Sequence, residues 1–156
     1  MLGKKTAKWG RDPIVIAGFI IHIISYFLVF MNIPDAAPFG DTDDVAFISP
    51  PIATVAILCS FLLGLGDACF NTQIYSMLGG VFSKNSAEAF AIFKFTQSVA
   101  SAISFVYSSH FGLQIQLGIL LVSGILGTIC FVIVEWSVKR SRALIANYNE
   151  TTESTK

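Results

Sequence analysis

The sequence predicts an all-α integral membrane fold with four transmembrane helices. Three observations carry that prediction. Apolar residues make up 54% of the 156 residues and mean hydropathy is +0.70. Charged residues make up only 13%, where soluble domains carry about 25%. The apolar residues also gather into four runs, at residues 13–31, 52–78, 89–110 and 115–136, and each matches the roughly 20 residues a helix needs to cross the hydrocarbon core. A membrane β-barrel would instead show segments of about 10 residues alternating in polarity, and these runs do not alternate. Inside lipid the backbone has to satisfy its own hydrogen bonds, so each run is expected to be helical. Residues 1–137 form the expected four-span membrane region, with 138–156 as a polar cytoplasmic tail, disordered by composition.

The first span follows a basic start of Lys4, Lys5, Lys8 and Arg11. Such a start also suits a signal peptide. The apolar run from Ile14 to Met31, however, exceeds the roughly 7–15 residues of a signal core, and the bulky Asn32-Ile33-Pro34 follows it. An uncleaved span fits better. His22 shares a helical face here with Gly18, Ser25 and Tyr26. A packed neutral histidine is the plainer reading, and a proton-linked role is the functional one. The loop 32–51 is acidic and broken by Pro34, Pro38, Pro50 and Pro51.

The second span carries Ala53, Ala56, Ser60, Gly64, Asp67, Asn71 and Tyr75 at steps of three or four, hence on one face. Gly64-Leu65-Gly66-Asp67 weakens the helix near mid-membrane, a feature of the broken helices that line binding sites in transporters. Gly79-Gly80 marks a helix stop, and Asn85 followed by Glu88 a cap for the third span. There Lys94, Gln97, Ser101, Ser104 and Ser108 form a second stripe. The bland reading of both stripes is close helix packing, and the sharper one is a wet path. Intramembrane charges are costly and mark functional sites or ion pairs, so Asp67 and Lys94 are the leading site candidates. Measured inward from Ile52 and His110, both lie at similar depth, and the two are expected to pair within salt-bridge distance or through one water, on the faces carrying Asn71 and Gln97.

The turn at 111–114 is short, so the third and fourth spans are expected to form a tight hairpin. Gly124, Gly127 and Thr128 form a small-residue contact patch on the fourth. Lys139, Arg140 and Arg142 follow Trp136. Lysine and arginine outside the spans fall only before the first, between the second and third, and after the fourth. Both termini and residues 79–88 are therefore expected in the cytoplasm. Asn149-Glu150-Thr151, a glycosylation sequon, then sits on the wrong side to be used.

Cys59, Cys69 and Cys130 lie in apolar runs without metal or redox spacing and are read as packing residues. No catalytic constellation, nucleotide motif or metal cluster occurs, so no enzyme activity, cofactor or metal is expected. A formal net charge of zero argues against a nucleic-acid partner. The expected partners are the lipid bilayer and other membrane helices. A stand-alone scaffold of tetraspanin type is disfavoured, because such proteins carry a large disulfide-bonded second outer loop where this chain has a four-residue turn.

The run Gly64-Leu65-Gly66-Asp67-Ala68-Cys69-Phe70-Asn71-Thr72-Gln73 resembles a signature of the Unc-93-like branch of the major facilitator superfamily. Ala87-Glu88-Ala89-Phe90-Ala91-Ile92-Phe93-Lys94-Phe95 and Val134-Glu135-Trp136 extend the likeness across residues 50–137. At the start, Gly3 to Arg11, with Trp9-Gly10-Arg11, is similar to a glycine-and-basic cytoplasmic loop motif of the superfamily. That family has twelve spans. The resemblance thus implies that these four are the last four, a C-terminal portion lacking eight helices. It also implies either solute transport, inactive in so short a chain, or service as an adaptor or chaperone for receptors and channels.

Overall fold

The computed structural model describes residues 11–153. Lys4, Lys5, Lys8 and Lys156, and the loop motif up to Gly10, lie outside the described residues. Four helices follow in order: α1 (Asp12–Asn32), α2 (Ala53–Val81), α3 (Ser86–Ser108) and α4 (Leu113–Glu153), with a short 3-10 turn at Ala37–Phe39. All four are long and apolar enough to cross a membrane.

Helix α1 starts where Pro13, with its fixed φ and no N–H, fits the first turn, and Asp12 faces the positive end of the helix dipole. It ends at Asn32, where Ile33 turns extended ahead of Pro34. Asn32 is buried and spans the loop. Its Nδ2 donates to the carbonyl of Ile52 (3.1 Å) and its Oδ1 accepts from the Ile52 N–H (2.8 Å). One side chain thereby fastens the end of α1 to the start of α2 and sets their antiparallel register.

The same loop also starts α4. The Asp35 carbonyl accepts from the Leu113 N–H (2.9 Å), and Asp35 Oδ1 accepts from the Gln114 N–H (2.7 Å). These satisfy two of the free amides that open any helix. Gly112 is buried against the Asp35 carboxylate, and a Cβ there would collide with it. Gln116 closes the preceding turn by donating to the carbonyls of Ser108 (3.0 Å) and Phe111 (2.7 Å).

Helix α1 sits between α2 and α4 and packs on both, whereas α3 leans mainly on α2. Close approach of α1 and α2 is possible because Gly18 and Gly66 present bare backbone. A Cβ on Gly18 would come 2.8 Å from Cys69 Cβ, and one on Gly66 would meet the His22 ring at 2.8 Å. Gly124 gives α4 the same approach to Phe19 of α1 (3.3 Å), which makes half of the expected glycine patch a helix contact. Gly127 faces open space.

Several expectations are corrected. Helix α2 runs unbroken through Gly64-Leu65-Gly66 to Val81, because two glycines cost helix propensity without removing a backbone donor. The α3–α4 turn is short, yet the two helices do not pack into a tight hairpin: α3 has no buried residue, and the buried Glu135 of α4 pairs with Arg11 at the start of α1. Asn85 occupies the cap position of α3 but makes no side-chain capping bond. Cys59 is buried as expected, while Cys130 is exposed on α4. Lastly, the tail is helical to Glu153. After Trp136 it has no proline or glycine, and Ala143, Leu144 and Ala146 favour helix. At about 1.5 Å per residue α4 is about 60 Å long, twice the roughly 30 Å hydrocarbon core.

Candidate functional site

Two polar clusters cross helix boundaries among the described residues, one midway along α1 and α2 and one at the end where the basic residues gather. In the first, His22 of α1 lies over Gly66 of α2 and is held between Tyr26 (5.7 Å between ring centroids, 6° between planes) and Phe70 (5.7 Å, 20°). Its Nε2 is 3.5 Å from Oδ1 of Asp67. The imidazole is 12% exposed and the carboxylate 74%. The pair therefore joins a packed base to an open acid, an ion pair when the ring carries its second proton. Ser25 is fully buried one turn on, donating to the Ile21 carbonyl (2.8 Å).

The expected Asp67–Lys94 salt bridge is not formed. Lys94 donates to Gln97 Oε1 (2.9 Å) and lies over the rings of Tyr75 (5.2 Å) and Phe93 (5.7 Å). The reason is level. The short 82–85 loop aligns the C-terminal end of α2 with the N-terminal end of α3, and the two helices differ in length by 29 to 23 residues. From those ends Asp67 lies about 21 Å deep and Lys94 about 12 Å at 1.5 Å per residue. Side chains lean toward their helix N-terminus, which moves the two further apart. The same lean brings His22 and Asp67 together. From the Asn32–Ile52 anchor they lie about 15 Å and 22 Å along their helices, His22 leaning away from the anchor and Asp67 toward it. That register, with the lean, was the signal available for Asp67's partner.

The polar stripes do not close on each other. Asn71 donates to the Asp67 carbonyl (3.0 Å), Ser60 to Ala56 (3.1 Å) and Ser104 to Ala100 (3.0 Å), all within their own helices. Gly64 faces open space, and Gln97 and Ser101 are exposed. Across α2 and α3, Tyr75 lies beneath Lys94 and packs against Phe90 and Phe93. An open polar face thus runs along Ser60, Gly64, Asp67 and Asn71.

The sequence gives no sign of the second cluster: there Arg11 and Lys139 mark topology, and Arg11 and Glu135 fall in family-like motifs. Arg11 Nη1 pairs with Glu135 Oε2 at 2.9 Å, and that carboxylate is only 5% exposed. Arg11 also donates to Ser76 Oγ (3.2 Å) and to the Ser76 carbonyl (3.4 Å). Lys139 pairs with Asp12 (2.6 Å) and, one turn along α4, lies 3.7 Å from Glu135. Two acids and two bases therefore tie α1, α2 and α4 together. Arg142 adds a bond to the Gly80 carbonyl (3.4 Å) at the negative end of α2.

Comparison with known proteins adds a family to this geometry. A model of the family described as ion channel regulatory protein UNC-93 matches residues 1–132. The chain is 47% identical over 141 residues to UNC93-like protein MFSD11 of Xenopus laevis, covering 88% of this chain and 31% of that protein. Against UNC93-like protein MFSD11 of Xenopus tropicalis it is 46% identical over 143 residues, 90% of this chain and 32% of the relative. UNC93-like protein 3 of Arabidopsis thaliana is 39% identical over 120 residues, 77% of this chain and 24% of its own. The chain thus spans about a third of the length of the two frog relatives. No solved structure matches.

Proposed function

The chain belongs to the UNC-93 family of membrane proteins, and on that premise we propose that it is a four-helix portion of a multi-pass solute transporter. The reading assigns it the last four of twelve spans, both termini and residues 79–88 to the cytoplasm, and no transport to these 156 residues alone. One observation carries it. Asp67 stands midway along α2 with 74% of its side chain open, backed by a packed His22 at 3.5 Å. A charge at that depth costs about 2.5–3.5 kcal/mol on insertion scales, which favours a water-filled path completed by further helices. Transporters of this architecture place such sites at the interface between repeats. The imidazole and carboxylate can share and release a proton or hold a cation there, and Ser60, Gly64 and Asn71 extend the face along the path.

A second reading is a membrane regulator or adaptor. The matching family's description as an ion channel regulatory protein supports it. So does α3, which has no buried residue and offers a full face to another helix. Vesicle uptake separates the two. Untargeted mass spectrometry of vesicle contents should show a solute accumulated by the full-length Xenopus relative. Replacing the residue aligned with Asp67 by asparagine should abolish that accumulation, and the 156-residue chain should accumulate nothing. Saturable uptake by this chain alone overturns the proposal. No uptake by either, with a channel subunit co-purifying from mild detergent, favours the regulator.

A further inference from the structure

We propose that a groove on α4, lined by Ile133, Trp136, Ser137, Lys139 and Arg140, holds the phosphate headgroup of an anionic phospholipid. The groove has a volume of 450 Å³. Its two ends differ in chemistry along one helix face: Ile133 and Trp136 are apolar and exposed, and Lys139 and Arg140 are cationic. Its level matches the membrane boundary. From Leu113, Trp136 lies about 35 Å along α4 and Arg140 about 40 Å, against a hydrocarbon core of about 30 Å. Trp136, 68% exposed, sits where indoles settle at the interface, and Arg140 follows one turn beyond it.

Charge selects the lipid. Arg11, Asp12, Glu135 and Lys139 neutralise one another within their cluster. Arg140 has no carboxylate within salt-bridge distance among the described residues, so the groove keeps a net positive charge. A guanidinium offers a phosphate two parallel N–H bonds. The Trp136 indole N–H and the N–H of Lys139 not turned to Asp12 or Glu135 are further donors within the groove. Ser137 donates to the Ile133 carbonyl (3.0 Å), leaving its oxygen as an acceptor that suits a headgroup hydroxyl. Ile133 and the indole face then cover the first methylenes of the chains. A free phosphate would engage only the charged end, so the apolar wall points to a lipid.

The test uses the full chain with Trp9→Phe, which leaves Trp136 as the only tryptophan, in vesicles of phosphatidylcholine containing phosphatidylglycerol. Lipids brominated near the headgroup quench a neighbouring indole. Brominated phosphatidylglycerol should quench Trp136 more strongly than brominated phosphatidylcholine at equal fraction. Arg140→Gln should weaken that preference about fivefold, the effect of one arginine at an anionic surface. Arg142→Gln, which lies outside the groove, should leave it unchanged. Native mass spectrometry of the detergent-solubilised protein gives a second readout, with phosphatidylglycerol retained by the parent and lost from Arg140→Gln. Equal quenching by the two lipids, an unchanged preference in Arg140→Gln, or displacement of the lipid by millimolar inorganic phosphate overturns the proposal.

Discussion

Adding a single methyl group at Gly18 tests the contact on which the α1–α2 packing rests. Its Cβ would stand 2.8 Å from Cys69 Cβ, 3.2 Å from the Gly66 carbonyl oxygen and 3.4 Å from the Phe70 ring. Carbon atoms rest at about 3.5–4.0 Å, so the helices must part by about 1 Å, and two of the three obstacles are fixed to backbone. Overpacking of this kind costs about 1–3 kcal/mol, while alanine returns up to about 1 kcal/mol of helix propensity. Gly18→Ala should therefore lose about 1–2 kcal/mol. Gly66→Ala meets the His22 ring at 2.8–3.0 Å. It should also destabilise, since the ring can leave only by giving up Tyr26, Phe70 and Asp67. Gly64 and Gly127 have nothing within 4 Å of an added Cβ, and their alanine variants should be neutral or gain up to about 1 kcal/mol. Unfolding of each variant in mild detergent, followed by helical circular dichroism, ranks the four. A Gly18→Ala protein as stable as Gly64→Ala would refute the close approach and the register built on it.

Four further outcomes follow from the same contacts. Asn32→Leu removes both hydrogen bonds to Ile52 and should cost about 2–3 kcal/mol, two bonds at about 1 kcal/mol each plus the stranded backbone groups, read in the same denaturation; an unchanged midpoint removes Asn32 as the anchor. Arg11→Ala and Glu135→Gln should each cost about 3 kcal/mol, and the double variant less than their sum, because either partner alone strands a buried charge or acceptor; strict additivity would contradict the pairing. His22→Ala and Asp67→Asn should couple in a double-mutant cycle, whereas Asp67→Asn and Lys94→Gln should add within about 0.5 kcal/mol, as separate sites do; coupling in the second cycle would restore the bridge that the structure lacks. Val45→Cys, in a chain freed of Cys59, Cys69 and Cys130, should react with an impermeant thiol reagent from outside intact cells, and labelling only after permeabilisation would reverse the proposed orientation.

The four spans were legible because crossing lipid is a constraint on composition and length alone: about 20 apolar residues with an internally bonded backbone. Gly64 to Gln73 carried the family by the same kind of local reading. Gly18 and Ser25 were assigned to one face of α1 by periodicity, and both are buried there. Arg11, Glu135 and Lys139 were legible only as single charges. Their network needs the starts and ends of helices more than a hundred residues apart in sequence to meet at one level, and no local pattern states that level.

What the sequence determined by itself is the class of solvent, the number of helices and which residues share a helix face. Each follows from hydrophobicity and the 3.6-residue period, properties of one segment at a time. Tertiary structure alone decided the partners: His22 for Asp67 in place of Lys94, Tyr75 for Lys94, and α1 for α4. Partners depend on the relative height and rotation of different helices. Those are set by loop length, by the Asn32 and Asp35 fastenings and by where glycine lets backbones touch, so a shift of a few ångströms along one axis exchanges one charge's neighbour for another.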